Sequence, residues 1–159
     1  MKFRKAIDKI LGRLVVIIMG VLVLDVLWQV ASRYILKDPS SFTDELAGFL
    51  LIWVGLFGAA YASGKKQHLA INILQQKINP DKRKYLDFII NTIVALFALI
   101  VLIIGGSNLV YITLKLNQIS SALEIPLGYV YIVLPISGLF ILFYSINEII
   151  YGIPDDIDD

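Results

Sequence analysis

Four stretches of this chain run for about twenty residues or more with almost no charge, and no other feature limits its fold so strongly. The first extends from about Leu14 to Ser32, with Asp25 as its only charged residue. The second is charge-free from Leu46 to Gly64, and the third from Phe88 to Leu114. The fourth is charge-free from Ile125 to Asn147 and carries Pro135, which predicts a kink. A hydrocarbon core of ~30 Å takes ~20 helical residues. Unpaired backbone groups are too costly in lipid for anything but helices or a closed barrel. The third stretch, 27 residues, makes roughly 40 Å of helix and must tilt or project. The expectation is an all-α membrane protein of four transmembrane helices. The spans fall at about 14–34, 44–64, 86–114 and 127–149 within a single domain, residues 1–159.

Composition supports this. Hydrophobic residues make up 58% of the 159, and the mean hydropathy is +0.78. A soluble domain of this size cannot place that much apolar side chain in its own core. The first stretch does not read as a signal peptide. It is too long, Asp25 interrupts it, and no clear small-x-small cleavage site follows.

Lys and Arg in the short flanks set the expected orientation. Lys2, Arg4, Lys5, Lys9 and Arg13 precede span one. Lys65, Lys66, Lys77, Lys82, Arg83 and Lys84 lie in the 65–85 segment between spans two and three. Only Arg33, Lys37 and Lys115 remain for the opposite side. Both chain ends and the 65–85 segment are therefore expected in the cytoplasm, including the acidic 152–159 tail. Two flanking pieces read as short interfacial amphipathic helices. In one, Phe3, Ile7, Ile10, Leu11 and Leu14 share a helical face. In the other, Leu69, Ile73 and Leu74 do so, before Asn79-Pro80 caps the next helix.

Little here carries chemistry. With no cysteine and a single histidine, His68, the chain cannot make a thiolate or histidine-rich metal site, nor a bis-histidine haem. The net charge of +1 points to no nucleic-acid partner. Gly64-Lys65 fails as a phosphate loop, because Gly58 is one residue too far upstream and Lys66 replaces the needed Ser or Thr. No nucleophile stands with a base, so neither an enzyme nor a cofactor is expected. Asp25 lies near the bilayer midplane. It either carries protons or binds a cation, or it faces a neighbouring helix or subunit and hydrogen-bonds there. Pro39 ends the preceding structure, and Ser40, Ser41 and Thr43 are cap candidates for span two. Asp44 and Glu45 fall in its first turn, where the helix dipole favours them. Arg33 closes span one and is expected to pair with one of them, Glu45 being preferred as one residue deeper. Gly55 with Ala59, and Gly58 with Ala62, have the small-xxx-small spacing of close helix packing in lipid, and Gly105-Gly106-Ser107 offers the same in span three.

An ordered set of residues adds a family resemblance. Arg33-Tyr34 is followed by Ser41-Phe42-Thr43-Asp44-Glu45-Leu46-Ala47, then Trp53, Gly58-Ala59-Ala60-Tyr61-Ala62 and His68 with Leu69 to Ile71. Later come Ser121-Ala122-Leu123, Ile125-Pro126, Tyr129, Tyr131 and Pro135. This order, spread from about Leu14 to Ile150, resembles the small membrane subunit of tripartite ATP-independent periplasmic (TRAP) transporters, the DctQ-like family. Phe42 stands where a tryptophan is usual, and Gly48 where an arginine is common. The resemblance implies a multi-pass protein of the bacterial inner membrane. Its implied partners are a large membrane subunit, which carries the substrate and sodium sites, and a periplasmic substrate-binding protein that docks transiently. The small subunit would serve as scaffold for sodium-driven uptake of an organic acid. Two other readings stay open: a self-contained dimeric ion-coupled transporter built around Asp25, and a membrane scaffold of some other complex.

Overall fold

The computed structural model describes residues 2–38, 40–65 and 80–151; the side chains of 2, 3, 80–84 and 151 lie outside that description. All of its regular structure is helical apart from one isolated antiparallel bridge, Ile119 to Pro126. In chain order the elements are α1 (Lys2–Ala31), a π-helical turn π1 (Ser32–Leu36) and α2 (Ser41–Gly64). Then follow α3 (Pro80–Phe97), π2 (Ala98–Gly105), α4 (Gly106–Lys115), α5 (Leu127–Tyr131) and α6 (Val133–Tyr151). They make four helical runs long and apolar enough to cross a membrane: Arg4–Leu36, Ser41–Gly64, Tyr85–Lys115 and Leu127–Ile150.

Two sequence expectations change here. The N-terminal amphipathic piece is no separate surface helix, because α1 is continuous from Lys2 through the apolar span. Nothing between Ile7 and Leu14 breaks it, having neither proline nor a capping turn. Span three is not a uniform α-helix either. Its middle, Ala98–Gly105, widens into π-helix, which apolar periodicity does not reveal. The amphipathic stretch from His68 to Ile78, with the cap position Asn79, lies outside the described residues. The following helix does begin at Pro80, where a missing N–H costs nothing.

The spans are not packed as a closed square. Span one runs along span two, span two along α6, and α6 along α3 and π2. Spans one and three share no extended packing among the described residues. The result is a row in the order one, two, four, three. A row buries little, and only 11–17% of residues in the apolar windows of spans one to three are buried, against 39% for span four. The core therefore lies along the two middle helices, with Phe57 and Ala60 from α2 and Val133, Ile141 and Tyr144 from span four. Leu11 closes it from span one, and Ala98 and Leu102 from span three.

Glycine permits close approach between spans three and four. A Cβ on Gly138 would stand 2.8 Å from the Cβ of Leu102, too near for any ordinary contact. Span four is itself broken at Ile132, between α5 and α6. That position fits Pro135, which has no N–H for the carbonyl four residues back, Tyr131, and whose ring crowds that carbonyl.

Candidate functional site

The described groups of greatest interest gather at the two ends of the helices. At one end lie the connections 37–40 and 116–126, the loop end. At the other lie Arg4, Gly64 and Glu148, the terminal end.

At the loop end, span one finishes in π1 and turns through Lys37, whose φ of 55° is left-handed. Its backbone N–H and that of Asp38 both return to the Ser32 carbonyl, satisfying the end of the helix. Ser40 takes the N-cap position of α2 but makes no side-chain capping bond. The Thr43 hydroxyl instead donates to the Ser40 carbonyl at 2.9 Å. Arg33 reaches Asp44 at 3.6 Å, with both side chains about half exposed, 51% and 50%. The expected preference for Glu45 as its partner is not what the structure has.

Glu45 turns the other way, into the 116–126 connection. Its carboxylate accepts three backbone N–H bonds, from Ser121 at 3.1 Å, Ala122 at 2.7 Å and Leu123 at 3.0 Å. The connection has a defined shape that leaves these three donors for it. Ser120 N–H donates to the Ile125 carbonyl and Leu127 N–H to the Gln118 carbonyl, both at 2.9 Å. The chain reverses through left-handed Asn117 and Glu124, at φ 47° and 54°. With the bonds of its own hairpin spent on Ser120 and Leu127, the Ser121–Leu123 backbone needs an outside acceptor. One carboxylate with two oxygens supplies it. The resemblance set held Glu45 and Ser121-Ala122-Leu123 as separate segments. Their meeting across 76–78 residues of chain is invisible to local pattern.

Next to this loop, Pro126 stands at the N-cap of α5 in extended conformation, φ −63° and ψ 124°. The Trp53 indole of α2 donates to the Val130 carbonyl at 2.9 Å, one residue before the carbonyl that Pro135 cannot serve. Trp53 also packs edge-on to Phe57, with ring centroids 5.8 Å apart. Trp53 thus reaches the segment between Pro126 and Pro135 that holds the break in span four, while the Pro135 ring faces Gly106 of span three. Asp25 stands apart from them. It is buried to 8% exposure in span one, and its Oδ2 has no hydrogen-bond partner among the described residues.

Among the described residues, no neighbour fills the small-residue surface of α2. A Cβ on Gly55 or Gly58 would meet nothing within 4 Å, and Ala59 is exposed. Ala62 is only partly buried, and the fully buried small residue of that run is Ala60. Spacing identifies a close-packing surface but not which neighbour covers it. In span three Gly106 does serve as expected, its Cβ position lying 2.8 Å from that of Leu134.

The terminal end holds a cluster that the sequence did not single out. Tyr144 is fully buried, and its hydroxyl donates to Asp8 Oδ1. The Arg4 guanidinium lies 5.8 Å over the Tyr144 ring, donates to the Gly64 carbonyl at 2.8 Å and stands 3.5 Å from a Glu148 oxygen. Gly64 is required here, because a Cβ would sit 2.7 Å from the Tyr144 ring. Three spans are thereby tied at one point. The signal was faint: Arg4 and Asp8 at i and i+4, and Tyr144 and Glu148 at the same spacing in span four. Among the described residues no group of three or more His, Cys, Asp or Glu side chains could hold a metal ion.

A hydrogen-bonded frame with exposed apolar flanks suits a part built to be covered by lipid and by other protein. Comparison with known proteins agrees. The sialic acid TRAP transporter small permease protein SiaQ of Vibrio cholerae is 29% identical over 151 residues, spanning 92% of this chain and 83% of its own. The C4-dicarboxylate TRAP transporter small permease protein DctQ of Rhodobacter capsulatus is 28% identical over 111 residues, 70% of this chain and 48% of its own. The sialic acid TRAP transporter permease protein SiaT of Haemophilus influenzae is 28% identical over 95 residues, 59% of this chain but only 15% of that much longer one. The family profile described as tripartite ATP-independent periplasmic transporters, DctQ component, matches residues 8–155, and the chain belongs to that family.

Proposed function

We propose that this chain is the scaffolding small membrane subunit of a TRAP transporter. It holds a large membrane subunit in place while that subunit carries out sodium-driven uptake of an organic acid delivered by a periplasmic binding protein. The observation that carries this reading is the open row. Three of the four spans bury no more than 17% of their apolar windows, so their surface is available to lipid on one side and a partner on the other. The Gly55–Ala59 surface of α2, unfilled among the described residues, is available for such close contact. The similarity of SiaT, in which the matched region is a small part of a long permease, supports a large membrane partner. On the Lys and Arg distribution, the terminal end faces the cytoplasm and the loop end the periplasm. The bacterial inner membrane is the location that follows from the family.

One observation favours a second reading. Asp25 is buried within an apolar span and its Oδ2 has no partner among the described residues, as a self-contained ion-coupled transporter would need. Reconstitution separates the two. Alone in liposomes with a sodium gradient, the chain is expected to move no organic acid, and with the large subunit and binding protein it is expected to support uptake. Accumulation by this chain alone would overturn the scaffold.

A further inference from the structure

The break in span four has the sequence marks of a hinge: a proline, a two-part helix and a connection of about ten residues leading into it. A hinge needs backbone groups free to change partners. Here the backbone groups that lead into the break are held from outside. Span two grips the segment at two heights, Glu45 taking the N–H groups of Ser121, Ala122 and Leu123, and Trp53 taking the Val130 carbonyl. Eight residues separate Glu45 from Trp53 on α2, about 12 Å of helix rise. Span three closes the remaining side, because the Leu114 side chain fills the space where a Cβ on Gly128 would stand.

We infer that Glu45 is a positioning residue that locks residues 118–131 to span two, so that the proline break is a clamp and not a hinge. The inference rests on the scaffold reading, and it names the part of the chain that must stay still for the scaffold to work. The bonds are charge-assisted and converge on one group, so the lock depends on the carboxylate in particular. Glutamine at this position keeps the length but has one acceptor oxygen, and its NH2 would face backbone N–H donors.

Hydrogen exchange on the isolated chain in detergent or nanodiscs tests the lock without any partner. In Glu45→Gln the Ser121–Leu123 amides are expected to exchange roughly ten- to hundredfold faster than in the wild type. Asp44→Asn, which removes the neighbouring carboxylate that faces Arg33, is expected to leave them unchanged. Equal exchange in Glu45→Gln and wild type overturns the inference, as does an equal acceleration in both variants.

The absence of cysteine allows a second, functional arm with cysteine-free partner subunits. Glu45→Cys combined with Ala122→Cys removes the latch, and a short bifunctional thiol reagent replaces it with a covalent tether. Uptake by the reconstituted complex is expected to fall severalfold without the tether and to return to the wild-type rate with it. A tethered variant that is protected from exchange yet inactive shows that 118–131 must move, which overturns the clamp. Failure of the wild-type complex to transport would instead count against the scaffold function, and the exchange result would stand by itself.

Discussion

Removing the hydroxyl of Tyr144 is the sharpest probe of how the row is held together. Tyr144→Phe keeps the buried ring, its contact with Gly64 and its place beneath Arg4, and deletes only the donor to Asp8 Oδ1. A net hydrogen bond to a charged group contributes about 1.5–3 kcal/mol. Asp8 is only partly buried, so water can replace part of what is lost. The expected cost is therefore near the lower limit, about 1.5 kcal/mol. The cation–π contact, worth about 2 kcal/mol at a site this buried, survives in phenylalanine and should not add to it. The assay is reversible unfolding of the chain in mixed micelles of increasing dodecyl sulfate content, followed by helical circular dichroism. A cycle with Asp8→Ala isolates the pair, and a coupling of at least about 1 kcal/mol is expected. Tyr144→Phe within ~0.5 kcal/mol of the wild type, together with a coupling near zero, would show that the terminal ends of spans one and four are not joined through this bond.

Trp53→Phe should cost about 0.5–1.5 kcal/mol in the same assay, since the indole bond to Val130 goes while an aromatic ring stays against Phe57; a neutral result would argue that water serves that carbonyl equally well. Reversing the charge of Arg33 to Glu should change the stability of the isolated chain by no more than about 1 kcal/mol, because the Arg33–Asp44 pair is half exposed; a loss of assembled complex without a matching loss in the isolated chain, restored by Asp44→Arg, would mean a partner buries the pair. Asp25→Asn should leave most uptake by the reconstituted complex intact, and complete loss with normal assembly would revive the transporter centred on Asp25. For orientation, single cysteines at Ser40 and Asn117 should react with an impermeant thiol reagent applied outside, and those at Gln75 and Gly152 should not; labelling at Gln75 would reverse the topology.

What the sequence disclosed and what it hid divide along a physical line. The four spans were legible because lipid imposes one rule on every residue in them, and a run of twenty apolar side chains satisfies it without reference to any other part of the chain. Pro135 was legible for the same reason, since its missing N–H acts on its own helix. Contacts between segments follow no such local rule. Asp44 and Glu45 are adjacent acids at one helix start, and nearness to Arg33 in sequence made either a plausible partner. The outcome depends on rotation about α2, which sends Asp44 toward span one and Glu45 toward a loop that lies 76–78 residues away. The same limit applies to the small residues. Their spacing marks a helix that can be approached closely, but among the described residues it is Gly64, Gly106, Gly128 and Gly138 that are approached, while Gly55 and Gly58 meet no neighbour there. That contrast has a functional consequence. Glycines already filled by Tyr144, Leu134 and Leu102 hold the row together, so larger residues there should unfold the isolated chain. Larger residues at Gly55 or Gly58 meet nothing among the described residues and should spare the fold, and any loss they cause should appear only when the large subunit is present.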